Sequence, residues 1–184
     1  MSARNTYRYK VDNTFLHIYS RANNKVPVFI NQKYFDKFLD ILLFLLTTDD
    51  NLADSLRLFS RPRKPCQNFS KNINLVSFCI MNNHYHLIIY IKDSDKLPKF
   101  MHLFHRKLTQ IINSDQNKVG HLMQSRYKSR PILSEVDLLN VSAYIQLNPN
   151  EIHPQDSNYY LRYPFSSLNS THMISKVVST NMIF

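Results

Sequence analysis

The 184-residue chain contains a single glycine, Gly120. Glycine ordinarily supplies the turns that need positive φ, so asparagine must carry much of that load, and Asn23-Asn24 and Asn82-Asn83 are placed to do so. One glycine also excludes both common Gly-rich phosphate loops. Cysteine is nearly as scarce. Cys66 and Cys79 show no metal-ligand spacing and read as reduced thiols of a cytosolic protein. Long apolar runs are missing: Ile41 to Leu46 is far too short to span a bilayer, and Met1-Ser2-Ala3-Arg4-Asn5 lacks the apolar stretch of a signal peptide. No segment pairs a basic face with a long apolar one, so a membrane is not the expected partner. A cytoplasmic location follows. Acidic residues are few, 13 against 23 Lys and Arg, for a formal charge of +10. That excess points to a polyanionic partner, nucleic acid before all others.

What is present suffices for one core. The chain is 43% hydrophobic and 12% aromatic, and its length suits one domain spanning 1–184, with a core over about 10–150 and an irregular tail over about 151–184. Thr14 to Ser20 is β-branched and aromatic and predicts a strand. Val26 to Ile30 is short and apolar, and pairs with another segment or leads into a helix. Gln32 to Thr47 begins with helical apolar spacing, becomes apolar nearly all round, and has Asn31 as N-cap. Asn51 to Lys71, with Arg57, Arg61, Arg63, Lys64 and Lys71, reads as an irregular basic connection. Ile73 to Met81 and His84 to Ile91 predict a hairpin turning at Asn82-Asn83. Leu97 to Asn113 predicts a helix with Pro98 in its first turn. His121 to Leu133 predicts a basic strand. Ser134-Glu135-Val136-Asp137 opens a last helix that Pro149 should stop. The order β, α, β, β, α, β is that of an α+β, ferredoxin-like fold, a four-stranded antiparallel sheet with two helices on one face. The last helix is an addition to it.

Chemistry concentrates at His84-Tyr85-His86. Alternate strand residues share a face, so the two imidazoles project together and Tyr85 points the other way, into the core. Two histidines are too few for a closed zinc site. An open, weakly held divalent ion is the better match. On the last helix Tyr144 and Asn148 stand at i and i+4, on one face. Asn148 offers a carbonyl oxygen that suits a hard cation, and a tyrosine beside such an ion is a candidate nucleophile. The competing reading is a tyrosine packed in the core, in a chain with eleven of them.

The residues around these positions resemble a known family. Met81-Asn82-Asn83-His84-Tyr85-His86-Leu87-Ile88 is similar to the HUH motif of the single-tyrosine transposases of the IS200 type, closest to those associated with repetitive extragenic palindromes. Asn82 stands where those chains often carry proline. Gly120-His121-Leu122-Met123-Gln124-Ser125-Arg126-Tyr127-Lys128-Ser129 resembles a second segment of theirs, with Met123 and Ser125 as departures. Tyr144-Ile145-Gln146-Leu147-Asn148-Pro149 resembles their Tyr-Ile-x-x-Asn-Pro element, and Tyr163-Pro164-Phe165-Ser166-Ser167 a short segment near their domain end. The resemblance covers roughly residues 10 to 170. The family often continues Asn-Pro-Val-Arg-Ala-Gly, where this chain has Asn148-Pro149-Asn150-Glu151-Ile152-His153.

The resemblance implies a ferredoxin-like fold, Tyr144 as the catalytic residue, and His84 and His86 as ligands of Mg²⁺ or Mn²⁺, with Asn148 expected as the third ligand from its carbonyl oxygen and its place one turn after Tyr144. It implies metal-dependent nicking and strand transfer of single-stranded or hairpin DNA through a 5′-phosphotyrosine, as in DNA transposition. Arg126 falls within it. Lys128 and Arg130 on the same strand, with Arg106 and Lys107 on the second helix, are further candidates to hold DNA phosphates. Related enzymes include dimers that exchange catalytic helices as well as monomers, so a homodimer is among the expected partners. Two alternatives stand beside this: a domesticated binder of structured DNA or RNA that no longer cuts, and a replication initiator or relaxase, which usually carries a further helicase or primase domain.

Overall fold

The apolar spacing of the first predicted helix is realised as α1 (Gln32–Leu46) in a computed structural model that describes residues 10–56 and 68–169. Asn31 caps α1, its side-chain oxygen accepting the Tyr34 amide at 3.1 Å. The second half of α1 is buried all round, as its Ile41–Leu46 run requires. The Phe69 amide reaches back to the Leu45 carbonyl there. A short helix, α2 (Asp50–Ser55), packs against α1 as well. α2 corrects the reading of 51–71 as wholly irregular. Six residues carry no apolar period, but the Asp49 carboxylate accepts the Leu52 amide and starts the turn. Arg57, Arg61, Arg63, Lys64 and Cys66 lie outside the described residues.

The strands are β1 (Thr14–Arg21), β2 (Ile73–Ile80), β3 (His84–Ile91) and β4 (Lys128–Ile132). They form one antiparallel sheet in the order β2-β3-β1-β4. With α1 after β1 and α3 (Leu97–Gln116) after β3, the fold is ferredoxin-like. β4 is shorter than the 121–133 stretch predicted. β1 ends at Arg21 and turns through Asn23–Lys25, so the incoming segment finds only an isolated pairing of Met123 with Ala22 before it bends at 124–126.

Asparagine does carry the left-handed positions, at Asn13, Asn24 and Asn117, with Lys25 and Gly120 beside them. Asn82 and Asn83 do not. Their hairpin forms, with the Met81 amide on the His84 carbonyl at 2.8 Å, but their φ values are not positive. They anchor the turn instead. The Asn82 carbonyl accepts the Val28 and Phe29 amides, the Asn83 carbonyl accepts the Ala22 amide, and the Asn83 side chain donates to Lys25.

The sheet has an apolar layer on each face. Leu16, Ile18, Ile80, Tyr85, Leu87 and Ile89 pack with α1 and α3 on one. On the other, a smaller cluster joins Cys79, Met81, Ile88 and Ile132 to Val141 and Ile145 of α4 (Glu135–Leu147), with Tyr163 from the chain beyond. The added helix therefore lies across the sheet from the other two. The tail is less irregular than expected: it makes 3-10 turns at Asn148–Glu151 and Tyr159–Arg162, and Ser166 pairs with Cys79 on the outer edge of β2. Residues 170–184 lie outside the described part. No described helix is long and apolar enough to cross a membrane.

Candidate active site

β3 is an interior strand, hydrogen-bonded on both sides, which fixes the direction of its side chains. His84 and His86 face α4. Tyr85 faces the larger core, fully buried, with its hydroxyl 2.5 Å from His105 Nε2 on α3.

α4 owes its position to both of its ends. Ser134 Oγ accepts the Asp137 amide, while the Asp137 carboxylate accepts the Leu133 amide and a forked pair of bonds from Arg130 on β4, at 2.8 and 3.0 Å. The predicted cap is present, with Asp137 turned toward Leu133 and Arg130. Val141 and Ile145 are buried against the sheet, and Asn148 follows on the same face, 4% exposed. Its Oδ1 is 2.9 Å from His84 Nε2. Tyr144, one turn earlier, is 52% exposed, and its ring meets His86 edge-on with centroids 5.6 Å apart. The fold thus brings Tyr144, His84, His86 and Asn148 together across the interface of β3 and α4.

A third histidine completes the group. His17 on β1 has its Nε2 2.9 Å from His86 Nδ1. The sequence reading missed it. Its one signal was a place in the first strand, and the pairing of β1 with β3 that makes the two rings neighbours is not written in either strand alone.

Burial holds all three imidazoles neutral. It lowers His17 to about 4, helped by Arg130, and His86 to about 3, helped by His17, His84 and Arg21. It lowers His84 as well, partly offset by the contact with Asn148. The consequence for stability has a definite sign. An unfolded histidine ionises near pH 6.5, so between that pH and the native values the unfolded chain binds more protons than the folded one. Stability is complete above about 6.5 and falls as the pH drops below it. Urea midpoints should decline from pH 7.5 to 5, and His17→Phe should flatten the decline. An equal decline in the variant would show that His17 does not contribute to it.

Neutral rings leave a proton count that bears on metal binding. A neutral imidazole has one N–H, yet His84 faces an oxygen at each nitrogen: Asn83 Oδ1 at 2.7 Å from Nδ1, and Asn148 Oδ1 at 2.9 Å from Nε2. With the proton directed to Asn83, the lone pairs of Nε2 and Asn148 Oδ1 converge on one space. A cation resolves that conflict. Adjacent ligands of an octahedral ion with 2.0–2.1 Å bonds stand about 3 Å apart, which matches. Among the described residues no three His, Cys, Asp or Glu side chains assemble into a metal-holding group; an ion held by His84, His86 and Asn148 would keep open coordination positions.

The surroundings are basic. Arg21, Lys25, Arg126 and Lys128 line an open cleft of about 830 Å³ with Tyr144, His84 and His86. Arg126 also borders a second cleft, formed by Arg106, His102, His105 and His121, and the two meet at Gln124–Arg126. Of the predicted phosphate contacts, Arg126 and Lys128 thus lie beside Tyr144 and Arg106 lies further along. Arg130 is engaged by Asp137. Lys107, half-buried on α3, borders neither cleft. Arg21 and Lys25 were not singled out from the sequence. Their only signal was basic charge at the end of the first strand.

The family model described as "Transposase IS200 like" matches residues 56–148. No curated protein matches the chain. Among solved structures, a REP-associated tyrosine transposase bound to a REP hairpin is similar in fold, with a TM-score of 0.63 at 12% identity, over 100% of this chain and 99% of that one. A structure assigned as a transposase from Deinococcus radiodurans has a TM-score of 0.43 at 17% identity, over 79% of this chain and 96% of that one.

Proposed function

The chain belongs to the IS200-like transposases, and from that premise we propose that it nicks and rejoins single-stranded or hairpin DNA through Tyr144. The observation that carries this reading is the juxtaposition of a half-exposed tyrosine with a buried His84–His86–Asn148 group in a cleft lined by basic residues.

In the proposed reaction the Tyr144 oxygen attacks the phosphorus in line with the bond to the 3′ oxygen. That bond breaks, its electron pair leaves on the 3′ oxygen, the Tyr144 phenol gives up its proton, and one proton completes the 3′ hydroxyl. The 5′ phosphate remains esterified to Tyr144. A 3′ hydroxyl attacking that ester reseals the strand without ATP, because the bond energy has been kept. His84, His86 and Asn148 would hold Mg²⁺ or Mn²⁺, which polarises a scissile phosphate and offsets the charge that develops on it. Arg126 and Lys128 would hold phosphates at the nick and Arg106 those beyond it, joined by Arg21 and Lys25. Arg130 is proposed to act chiefly through Asp137, fixing α4. A similar fold has been solved with a REP hairpin, so a hairpin is the first DNA to try.

Labelled single-stranded DNA carrying a hairpin, incubated with the protein and Mn²⁺, should give an adduct that survives a denaturing gel and that does not form when EDTA is present from the start. Binding should weaken steeply with salt, with log K falling by about 0.7 per phosphate neutralised for each unit of log salt. Absence of an adduct with every flanking sequence of the host element would replace this reading with that of a non-cutting binder.

A further inference from the structure

His17 has no part in the chemistry above, yet it occupies a costly position. It is 7% exposed on the face of the sheet that carries His84 and His86, and its ring stacks on His86 with centroids 5.1 Å apart and planes 24° apart. An apolar side chain would fill that place without the penalty of burying a polar ring. We propose that His17 is a positioning residue for His86: it accepts a hydrogen bond from His86 Nδ1–H, so that the His86 Nε2 lone pair is the one offered to a metal ion. This rests on the reading of His84, His86 and Asn148 as a metal site.

Proton arithmetic carries the inference. The 2.9 Å contact between His17 Nε2 and His86 Nδ1 needs one proton between two nitrogens. If His17 supplied it, His86 would accept at Nδ1 and carry its own proton on Nε2, where it could not bind a metal. If His86 supplies it, Nε2 is free, and the bond fixes tautomer and ring plane together. Asn83 stands in the same relation to His84, its Oδ1 2.7 Å from Nδ1. Each candidate histidine ligand thus has a partner at the nitrogen it does not use, the usual way in which a ligating histidine is oriented. One partner is a sequence neighbour. The other comes from β1, through the pairing of Tyr19 with His86.

The test compares wild type, His17→Phe and His17→Gln for Mn²⁺ affinity in the absence of DNA, and reads the His86 tautomer from ¹⁵N shifts of the metal-free proteins. His17→Phe keeps a ring but cannot accept, whereas the Gln oxygen reaches a similar point and can. Wild type should show His86 protonated at Nδ1. His17→Phe should lose that preference and bind Mn²⁺ about 10- to 100-fold more weakly, and His17→Gln should restore both. The inference is overturned if His86 carries its proton on Nε2 in wild type, or if His17→Phe leaves affinity and tautomer unchanged. If wild type binds no Mn²⁺, the metal reading fails separately. His17 is then judged on the tautomer alone: Nδ1–H lost in His17→Phe supports it, and no change overturns it.

Discussion

Tyr144→Phe should abolish the covalent DNA adduct while leaving hairpin binding and thermal stability unchanged. The side chain is half-exposed, and removing one hydroxyl at such a place changes stability by no more than about 0.5 kcal/mol. Removing a nucleophile costs on the order of 10⁴- to 10⁶-fold in rate, which puts the adduct below detection. The control matters as much as the variant, because the chain is rich in tyrosine. Tyr19 lines the same cleft and its ring stacks on His86 with centroids 5.9 Å apart. Tyr85 sits between the two histidines but is buried on the far side of the sheet. Phenylalanine at either position should keep the adduct. An adduct in Tyr144→Phe that vanished in Tyr19→Phe would move the nucleophile to β1.

Ile145→Ala should undock α4 and leave the rest of the sheet in place. Ile145 is fully buried in the smaller apolar cluster, whose only other buried side chain from α4 is Val141. Losing three buried carbons there costs about 2–5 kcal/mol. That is a 30- to several-thousand-fold change in a docking equilibrium, at 1.4 kcal/mol per factor of ten. The larger core does not share the loss, because α4 is on the other face. Amide protection should fall along α4 while β3 and α3 keep theirs. Adduct yield and Mn²⁺ affinity should fall together, because Tyr144 lies on α4 and Asn148 caps its end. Equal loss of protection in both layers would show that the two faces unfold as one unit.

The sequence was most legible where an element states its own periodicity. α1 and α3 follow from apolar stripes, the hairpin from two β-branched runs around Asn82-Asn83, and the ends of α4 from Ser134 and Pro149. It was least legible where an element's place depends on another. The apolar residues of α4 run round the helix: Val141 and Ile145 are buried while Val136, Leu139 and Leu147 are exposed. No stripe therefore tells which side packs, or on which face of the sheet. The pairing of His17 with His86 likewise depends on the register between β1 and β3, and that of Arg130 with Asp137 on how the chain turns from β4 into α4. α2 escaped because one capping carboxylate, not a pattern, sets it.

The tail segment on β2 bears on how copies of this chain can meet. An open antiparallel sheet has two borders, and each is a template for a foreign strand unless it is blunted. Here the Phe165 carbonyl takes the Ile80 amide, the Ser167 amide binds the Phe78 carbonyl, and Gln146 of α4 donates to Ser77 and Ser167. The Phe78–Ile80 end of the outer border of β2 is thus already satisfied from within. The border of β4 has Pro131, which lacks an amide hydrogen, between the charged Arg130 and the short strand's end at Ile132. The tail contacts at Phe78–Ile80 shorten the free run on one border, and Pro131 interrupts it on the other. Sheet extension from one copy into the next is disfavoured at both sides, and this lowers the risk of strand-mediated aggregation while the protein handles DNA.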